Sequence, residues 1–281
     1  MSNSYNQRLS KAKKAIQESE TILIGAGAGL STAAGIEYGG KRFRDNFQDF
    51  IDRYHLIDMY SSAFYPFKTR EERWAYMSRH IKLNRYDAEV GKVYKDLKKI
   101  AKNKNHFILT TNADAQFYRA GFDNAKIFAT QGDYAKFQCS KPCHDTLYDN
   151  EEIVTRMVTE QHNFRIPTEL IPLCPVCGGN MTPHLRIDDT FIENEDWRTA
   201  GRRYTEFLQS TLSRKLVLFE IGVGYNTPGI IKYPFEQMTA ANPDATLIRI
   251  NRDDPEVSPT NKDKTIAFSE DTRRILEFFS L

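Results

Sequence analysis

The stretch Thr21-Ile-Leu-Ile-Gly-Ala-Gly-Ala-Gly-Leu-Ser-Thr-Ala-Ala-Gly35 constrains this chain more than any other. Ile22, Leu23 and Ile24 form the short apolar, β-branched run that a strand buried on both faces requires. Three alternate glycines follow, Gly25, Gly27 and Gly29, and a small-residue segment then opens a helix. A strand running through a glycine-rich turn into a helix N-terminus makes an anion site. Backbone N–H groups point outward there, no Cβ blocks a pyrophosphate, and the helix dipole favours negative charge. The spacing departs from the dinucleotide fingerprint, because Gly25-x-Gly27 and Gly27-x-Gly29 both lack the final glycine. Two readings therefore stand at this point: a nucleotide cradle, or a tight strand-to-helix turn with nothing bound.

The other periodicities place this stretch in an α/β fold. Apolar runs at Phe107-Ile-Leu-Thr110, Lys126-Ile-Phe-Ala129, Leu216-Val-Leu-Phe219, Thr246-Leu-Ile-Arg-Ile250 and Thr265-Ile-Ala-Phe268 read as further strands. Between them lie helical spacings: Leu9, Ala12, Ala15 and Ile16 in 4–20; Phe47, Phe50, Ile51, Tyr54 and Ile57 in 45–60; Trp74, Met77 and Ile81 in 71–83. Val90, Val93, Tyr94, Leu97 and Ile100 follow in 87–102, then Trp197, Tyr204, Leu208 and Leu212, and a last helix over 273–279. Strands alternating with helices predict a Rossmann-like parallel sheet with helices on both faces. Three helices between the first two strands exceed a simple crossover, so part of 40–85 is expected to form a helical insertion beside the sheet.

Charge excludes little and favours less. The 39 Lys and Arg nearly balance the 37 Asp and Glu, a net charge of +2, which gives no general argument for nucleic acid or a membrane surface. The basic run 92–104 is interleaved with Val93, Tyr94, Leu97 and Ile100, as the solvated face of a packed helix would be. No apolar segment approaches the ~20 residues of a membrane span. Met-Ser-Asn-Ser-Tyr at the N-terminus lacks the apolar centre of a signal peptide, so a cytoplasmic protein is expected.

All four cysteines fall in 139–190, a segment with little periodicity. Cys139-x3-Cys143 and Cys174-Pro-Val-Cys177 are two knuckle-like pairs, and two thiolates on each tight turn can close a tetrahedron around zinc. Four cysteines leave no open position, so such a metal would be structural. Free thiols are the alternative. His144, His162 and His184 lie in the same region and read as ordinary surface, and the weak local positive charge speaks against a nucleic-acid-binding ribbon. The expected division is a Rossmann-like domain of 1–40, 86–136 and 191–281, with a small domain built from the helical insertion 41–85 and a zinc-ribbon module 137–190.

Taken in order, these elements resemble the sirtuins. The run is Gly27-Ala-Gly-Leu-Ser-Thr-Ala-Ala-Gly-Ile36, Thr110-Thr-Asn-Ala-Asp114, Thr130-Gln-Gly132, the two cysteine pairs, Gly222-Val-Gly-Tyr-Asn226 and Ile250-Asn251. The resemblance covers most of the chain and implies NAD bound in the cleft between a large and a small domain. Cofactor contacts would come from Gly27, Ala28, Gly29, Ala33, Arg44, Gly222, Val223, Gly224, Asn226, Asn251, Arg252 and Ser269. Asn112 and Asp114 would face the nicotinamide ribose and carboxamide, and with Gln131 they form the implied catalytic group. Without the resemblance, Asn112 and Asp114 read as a turn-capping pair after a strand.

The departures from the family pattern point to the chemistry. Where sirtuins carry a catalytic histidine before glycine, this chain has Gln131, whose amide does not titrate near neutral pH. Loss of a positioned base costs ~10²–10⁴-fold. The family's Pro-Asp-Phe-Arg becomes Glu37-Tyr-Gly-Gly-Lys-Arg-Phe-Arg44, leaving Lys41, Arg42 or Arg44 in the arginine's role. Its apolar acyl-lysine clamp becomes Leu185-Arg-Ile-Asp-Asp-Thr-Phe-Ile-Glu193, with Arg186, Asp188 and Asp189 where a tunnel wants apolar walls. These changes resemble the macrodomain-linked sirtuins, which implies a protein ADP-ribosyltransferase acting on a lipoylated carrier related to the glycine-cleavage H protein. A partner macrodomain hydrolase would remove the mark. Residual deacylation with Asp133 as surrogate base, or a non-catalytic NAD or ADP-ribose sensor, are the alternatives.

Overall fold

The computed structural model of the chain describes residues 3–212 and 214–281; Met1 and Ser2, part of the N-terminal reading above, lie outside them. In chain order the strands are β1 (Thr21–Ala26), β2 (Asn105–Thr110), β3 (Ile127–Ala129), β4 (Gly132–Cys139), β5 (Tyr148–Asp149), β6 (Met181–Leu185), β7 (Leu216–Ile221), β8 (Ala245–Ile250) and β9 (Thr265–Phe268). A 6-stranded parallel sheet runs β3-β2-β1-β7-β8-β9, and a 3-stranded antiparallel sheet runs β5-β4-β6. Every residue of β1 and of β7 is buried, which is why those strands read as continuous rather than alternating apolar runs. The α/β class and the doubly covered parallel sheet are as the sequence predicts.

Successive residues of a strand face opposite ways, and the two faces bury different partners. Ile22, Ile24, Phe219 and Ile248 pack on the N-terminal helix Asn3–Glu18 through Leu9, Ala12 and Ile16, and on Leu97, Ile275 and Phe279. Leu23, Phe107, Leu109, Leu218 and Leu247 face Phe207 and Phe235 on the other side. A third core belongs to the small unit. There Phe43, Phe47 and Phe50 of helix Gly40–Tyr54 and Trp74 and Tyr76 of helix Arg70–Ile81 meet Phe137, Cys139, Met157 and Met181. The helical insertion and the cysteine region thus share one core. Among the described residues, no helix is long and apolar enough to cross a membrane.

Several boundaries differ from those the periodicity predicts. The helix expected over 45–60 runs Gly40–Tyr54 with a kink at Phe47, and Ile57, 81% exposed, lies beyond it. Leu212, 74% exposed, falls past the end of helix Glu195–Ser210. β4 spans 136/137, with an irregularity in its pairing to β6 between Asp133 and Phe137, and its described pairings are to β5 and β6 of the small sheet. Helix Lys232–Ala241 was not legible in the sequence. It carries a proline in its first turn, where the missing N–H does no harm, and it buries a lysine where the pattern calls for an apolar residue.

Candidate functional site

The carboxyl ends of the six parallel strands hold most of the residues the sequence singles out. Gly27, Ala28, Gly29 and Ala33 follow β1; Asn112 and Asp114 follow β2; Gln131 follows β3. Gly222, Val223, Gly224 and Asn226 follow β7, Asn251 and Arg252 follow β8, and Ser269 follows β9. The chain leaves β1 toward β2 on one side and returns as β7 on the other, so the strand order reverses between β1 and β7. A crevice opens at such a switch point, and ligands of open α/β sheets bind there.

Hydrogen bonds knit these loops together. Gly27 N–H donates to Ile221 O and Gly29 N–H to Gly222 O, each at 3.0 Å, while Asn112 Nδ2 donates to Gly27 O at 2.9 Å. Asn251 Nδ2 donates to Val223 O at 2.8 Å, and its Oδ1 accepts the Asp253 and Asp254 N–H groups at 3.1 Å. The glycines are required by close approach of backbone to backbone. A Cβ on Gly27 would lie 2.5 Å from Gly222 O and one on Gly29 2.6 Å from Gly222 Cα, and Gly222 itself sits at φ +63. In one respect this corrects the outward-pointing amides expected above, since the Gly29 N–H turns to the facing loop. Ala28, Gly29, Gly224 and Asn226 remain exposed, and neither 27–33 nor 222–227 contains a carboxylate. Small side chains, amide donors and no negative charge suit an adenosine diphosphate moiety.

Asp114 is buried beneath this lining. Its Oδ2 accepts from Ser31 Oγ at 2.5 Å and its Oδ1 from Gln116 N–H at 3.0 Å; Ser31 Oγ is also 3.1 Å from Tyr94 Oη. Burial raises the Asp114 pKa, and the Ser31 and Gln116 hydrogen bonds oppose the shift. The next residue, Ala115, is held at φ 57, a left-handed conformation that costs a non-glycine residue about 1–3 kcal/mol and that clusters at functional sites. Nothing in the sequence marks that strain, nor Ser31 as the partner of Asp114.

Gln131 is half-buried, and its carbonyl accepts the Arg186 N–H at 3.1 Å. Asp133, two residues on, is held by an ion pair. Arg85 grips it with Nε at 2.8 Å from Oδ1 and Nη2 at 3.3 Å from Oδ2, and Ala135 N–H donates to Oδ1 at 2.7 Å. A carboxylate so held is fixed in position by charge-assisted hydrogen bonds. The segment 185–193 is likewise fixed: Gln138, buried, donates to Thr190 O at 2.7 Å and accepts from Ile192 N–H at 3.1 Å. Arg186, Asp188 and Asp189 line a cavity of about 600 Å³ with Pro142 and Phe191, so the charge expected there faces an open space.

Of the three basic candidates after the glycine loop, Arg42 is built into the small unit. It donates to Asn84 Oδ1 at 2.7 Å and to the carbonyls of Glu37 and Leu83 at 3.1 Å. Lys41 pairs with Asp45 at 2.5 Å. Arg44 is exposed on helix Gly40–Tyr54, its side chain making no hydrogen bond to another described residue. Arg252 is also exposed, paired with its neighbour Asp253, and Ser269 lies exposed at the far end of the row.

The four cysteine sulfurs lie within 4.8 Å of one another, with Cys139 Sγ 3.7 Å from Cys177 Sγ and Cys143 Sγ 3.6 Å from Cys174 Sγ. Four thiolates at ~2.3 Å from a tetrahedral zinc stand about 3.8 Å apart, so the donor set fits that ion. The second knuckle is shaped by Gly178 at φ +66 and by Cys174 N–H donating to Gly179 O at 2.7 Å. His144 supports the cluster from outside, with Nδ1 3.0 Å from Cys143 Sγ and Nε2 2.8 Å from Tyr148 Oη. His184 is not surface, as expected above, but buried, with Nε2 donating to Ile192 O at 2.9 Å.

Residues 27–202 match the model of the Sir2 family. The chain is 37% identical to a protein ADP-ribosyltransferase of Staphylococcus aureus over 94% of its length and 84% of that protein's. A probable bifunctional ADP-ribose hydrolase/ADP-ribosyltransferase of Fusarium oxysporum is 27% identical, with the match covering 84% of this chain and 41% of that one. Among solved structures, a mutant Sir2 homologue in complex with 2'-O-acetyl ADP-ribose superposes with a TM-score of 0.63 at 16% identity, over 96% of this chain and 94% of the other. A Sir2 homologue–NAD complex gives 0.60 at 16% identity, over 96% and 92%.

Proposed function

This chain belongs to the Sir2 family, and from that premise we propose that it is an NAD-dependent protein ADP-ribosyltransferase whose acceptor is a lipoylated carrier protein. In the reaction the nicotinamide–ribose bond breaks, nicotinamide leaves with the bonding pair, and a nucleophile on the acceptor bonds to ribose C1. Such a centre needs stabilisation and exclusion of water more than it needs a base on the ribose. The name of the Staphylococcus aureus relative supports the activity, and the similarity spans nearly the whole chain.

The single observation that favours transfer over deacylation is the engagement of Asp133. Gln131 does not titrate, and the carboxylate nearest to it in sequence is bound by Arg85 and by the Ala135 N–H. In the proposal Asn112 orients the ribose or acceptor, Gln131 holds ribose hydroxyls through its amide, and Asp114 fixes Ser31 and the turn below. The glycine loop with Ala33, Gly222, Val223, Gly224, Asn226, Asn251, Arg252 and Ser269 binds the rest of NAD, with Arg44 as the basic residue left available. The lipoyl-carrier acceptor, the macrodomain hydrolase partner, a cytoplasmic location and the division at 41–85 and 137–190 belong to the same proposal. The charged lining by Arg186, Asp188 and Asp189 supports an acceptor other than an acyl-lysine in an apolar tunnel.

The test is incubation with labelled NAD, the carrier in lipoylated and unlipoylated forms, and an acetylated peptide. Label on the lipoylated carrier is the expected result, and equal labelling of the unlipoylated form overturns the lipoyl requirement. Deacetylation of the peptide overturns the transferase reading, and binding of NAD without nicotinamide release points to a sensor. Gln131→His is expected to leave deacylation at least ~10²-fold below an efficient deacylase, because 185–193 offers the acyl chain charge rather than apolar walls. Full deacylase activity in that variant would show that the glutamine alone separates the two chemistries.

A further inference from the structure

The chain buries a cluster of charges that the transfer chemistry leaves unexplained. Glu220 on β7, Arg249 on β8 and Lys232, which opens helix Lys232–Ala241, have side chains 0%, 1% and 0% exposed. The Arg249 fork takes both oxygens of Glu220, at 2.8 Å from Nε and 2.9 Å from Nη2, and Nη2 also reaches Glu236 Oε1 at 2.9 Å. Lys232 Nζ stands 3.4 Å from Glu220 Oε1. Removing such ions from water costs several kcal/mol each, and well-packed apolar side chains of similar size serve stability as well or better. Stability alone does not account for the cluster.

Its other contacts do. Arg249 Nη1 donates to the carbonyl of Glu256, and Lys232 Nζ donates to the carbonyl of Asp254 at 3.3 Å. The Lys232 ammonium also sits 4.8 Å from the centre of the Tyr225 ring. Both cations thus reach loops at the strand ends, Arg249 from β8 to 251–256 and Lys232 from its helix to both 251–256 and 222–227. Asn251 joins the same two loops through Val223 O. We propose that Glu220, Lys232 and Arg249 are positioning residues, a buried ionic platform that sets the spacing of the two loops on the adenosine side of the cleft. Through that spacing they set the affinity for the adenosine diphosphate half of NAD, without touching the reacting atoms. The proposal rests on the reading of the crevice as the NAD cleft.

Arg249→Lys keeps the positive charge and loses the fork. Calorimetric titration with NAD and with ADP-ribose is expected to show both weakened about tenfold, with KM for NAD rising to match and kcat falling by less. The triple variant E220M/K232M/R249M separates this role from folding. Its thermal midpoint should equal or exceed that of the parent, as apolar replacements of buried ion sets do, while affinity for both ligands stays reduced. Recovery of affinity along with stability would make the cluster merely structural. Parent-like binding by Arg249→Lys would also overturn the proposal, and that variant decides should the triple variant not fold. A parent chain that binds neither NAD nor ADP-ribose would overturn the cleft reading, and the platform's role with it.

Discussion

Asn112→Ala is expected to lower ADP-ribosyl transfer by ~10²–10³-fold, the loss that follows removal of one fixed polar group from a site where charge develops. The side chain stands where β2 ends, half-buried, with its Nδ2 on Gly27 O at 2.9 Å and its own N–H 3.1 Å from Thr110 Oγ1. One amide face is therefore anchored to the glycine loop, and the remaining oxygen is presented in a defined direction. Truncation removes one intramolecular hydrogen bond, a stability cost of about 0.5–1.5 kcal/mol. That corresponds to a fall of only a few degrees in thermal midpoint for a domain of this size. Asn112→Asp should be no better, because a carboxylate oxygen would then meet the Gly27 carbonyl. Transfer of label from NAD, measured beside thermal unfolding, checks this. An unchanged rate removes Asn112 from the mechanism, whereas equal losses of rate and of folded protein would make it a structural tie.

What was legible in the sequence was the part set by local pattern. β1 and its glycine loop announce themselves because the buried run Ile22–Ile24 is apolar throughout and a Cβ at Gly27 or Gly29 would strike the Gly222 backbone. The order of the strands, the cysteine knuckles and the positions of Asn112, Asp114 and Gln131 at strand ends follow from the same kind of signal. What the sequence hid was cross-chain pairing. Asp133 looked available as a base, because nothing local ties it to Arg85, which is 48 positions away on the π-helical turn Lys82–Tyr86. His184 looked like surface, because its burial depends on Phe191 stacking on it at 4.4 Å and on a carbonyl from a later loop. The reason for the glycines was hidden as well: Gly27 and Gly29 are shaped by Gly222, nearly two hundred residues on, as much as by any ligand. Arg249, a charge inside the apolar run Leu247-Ile-Arg-Ile250, was the visible mark of the buried platform.

Removal of metal is expected to have the largest effect of all on stability. The purified protein should carry one zinc per chain, and chelation or Cys174→Ser should lower the thermal midpoint by more than ~10 °C, since structural zinc contributes about 10–16 kcal/mol to small folded units. The reason lies in where the sulfurs sit. Cys139 and Cys174 are buried in the same core as Trp74, Phe137 and Met181, so loss of the metal leaves four thiolates without their shared cation and loosens the aromatic packing around them. The loss should not stay local. β4 runs from Gly132 to Cys139, joining Gln131 at one end to the cluster at the other, and its pairing with β6 also positions Leu185 and the charged segment after it. Transfer activity should therefore fall in step with unfolding of the small unit and return when zinc, but not magnesium, is restored, because soft thiolates hold zinc and hard cations seek oxygen. Atomic emission and calorimetry on treated and restored protein test this together. A metal-free chain with an unchanged midpoint and four titratable thiols would overturn it. The closed donor set carries a further consequence. With no coordination position left for substrate, zinc should change how much protein is folded, and below the unfolding transition kcat should not depend on which tetrahedral, thiolate-seeking metal fills the site.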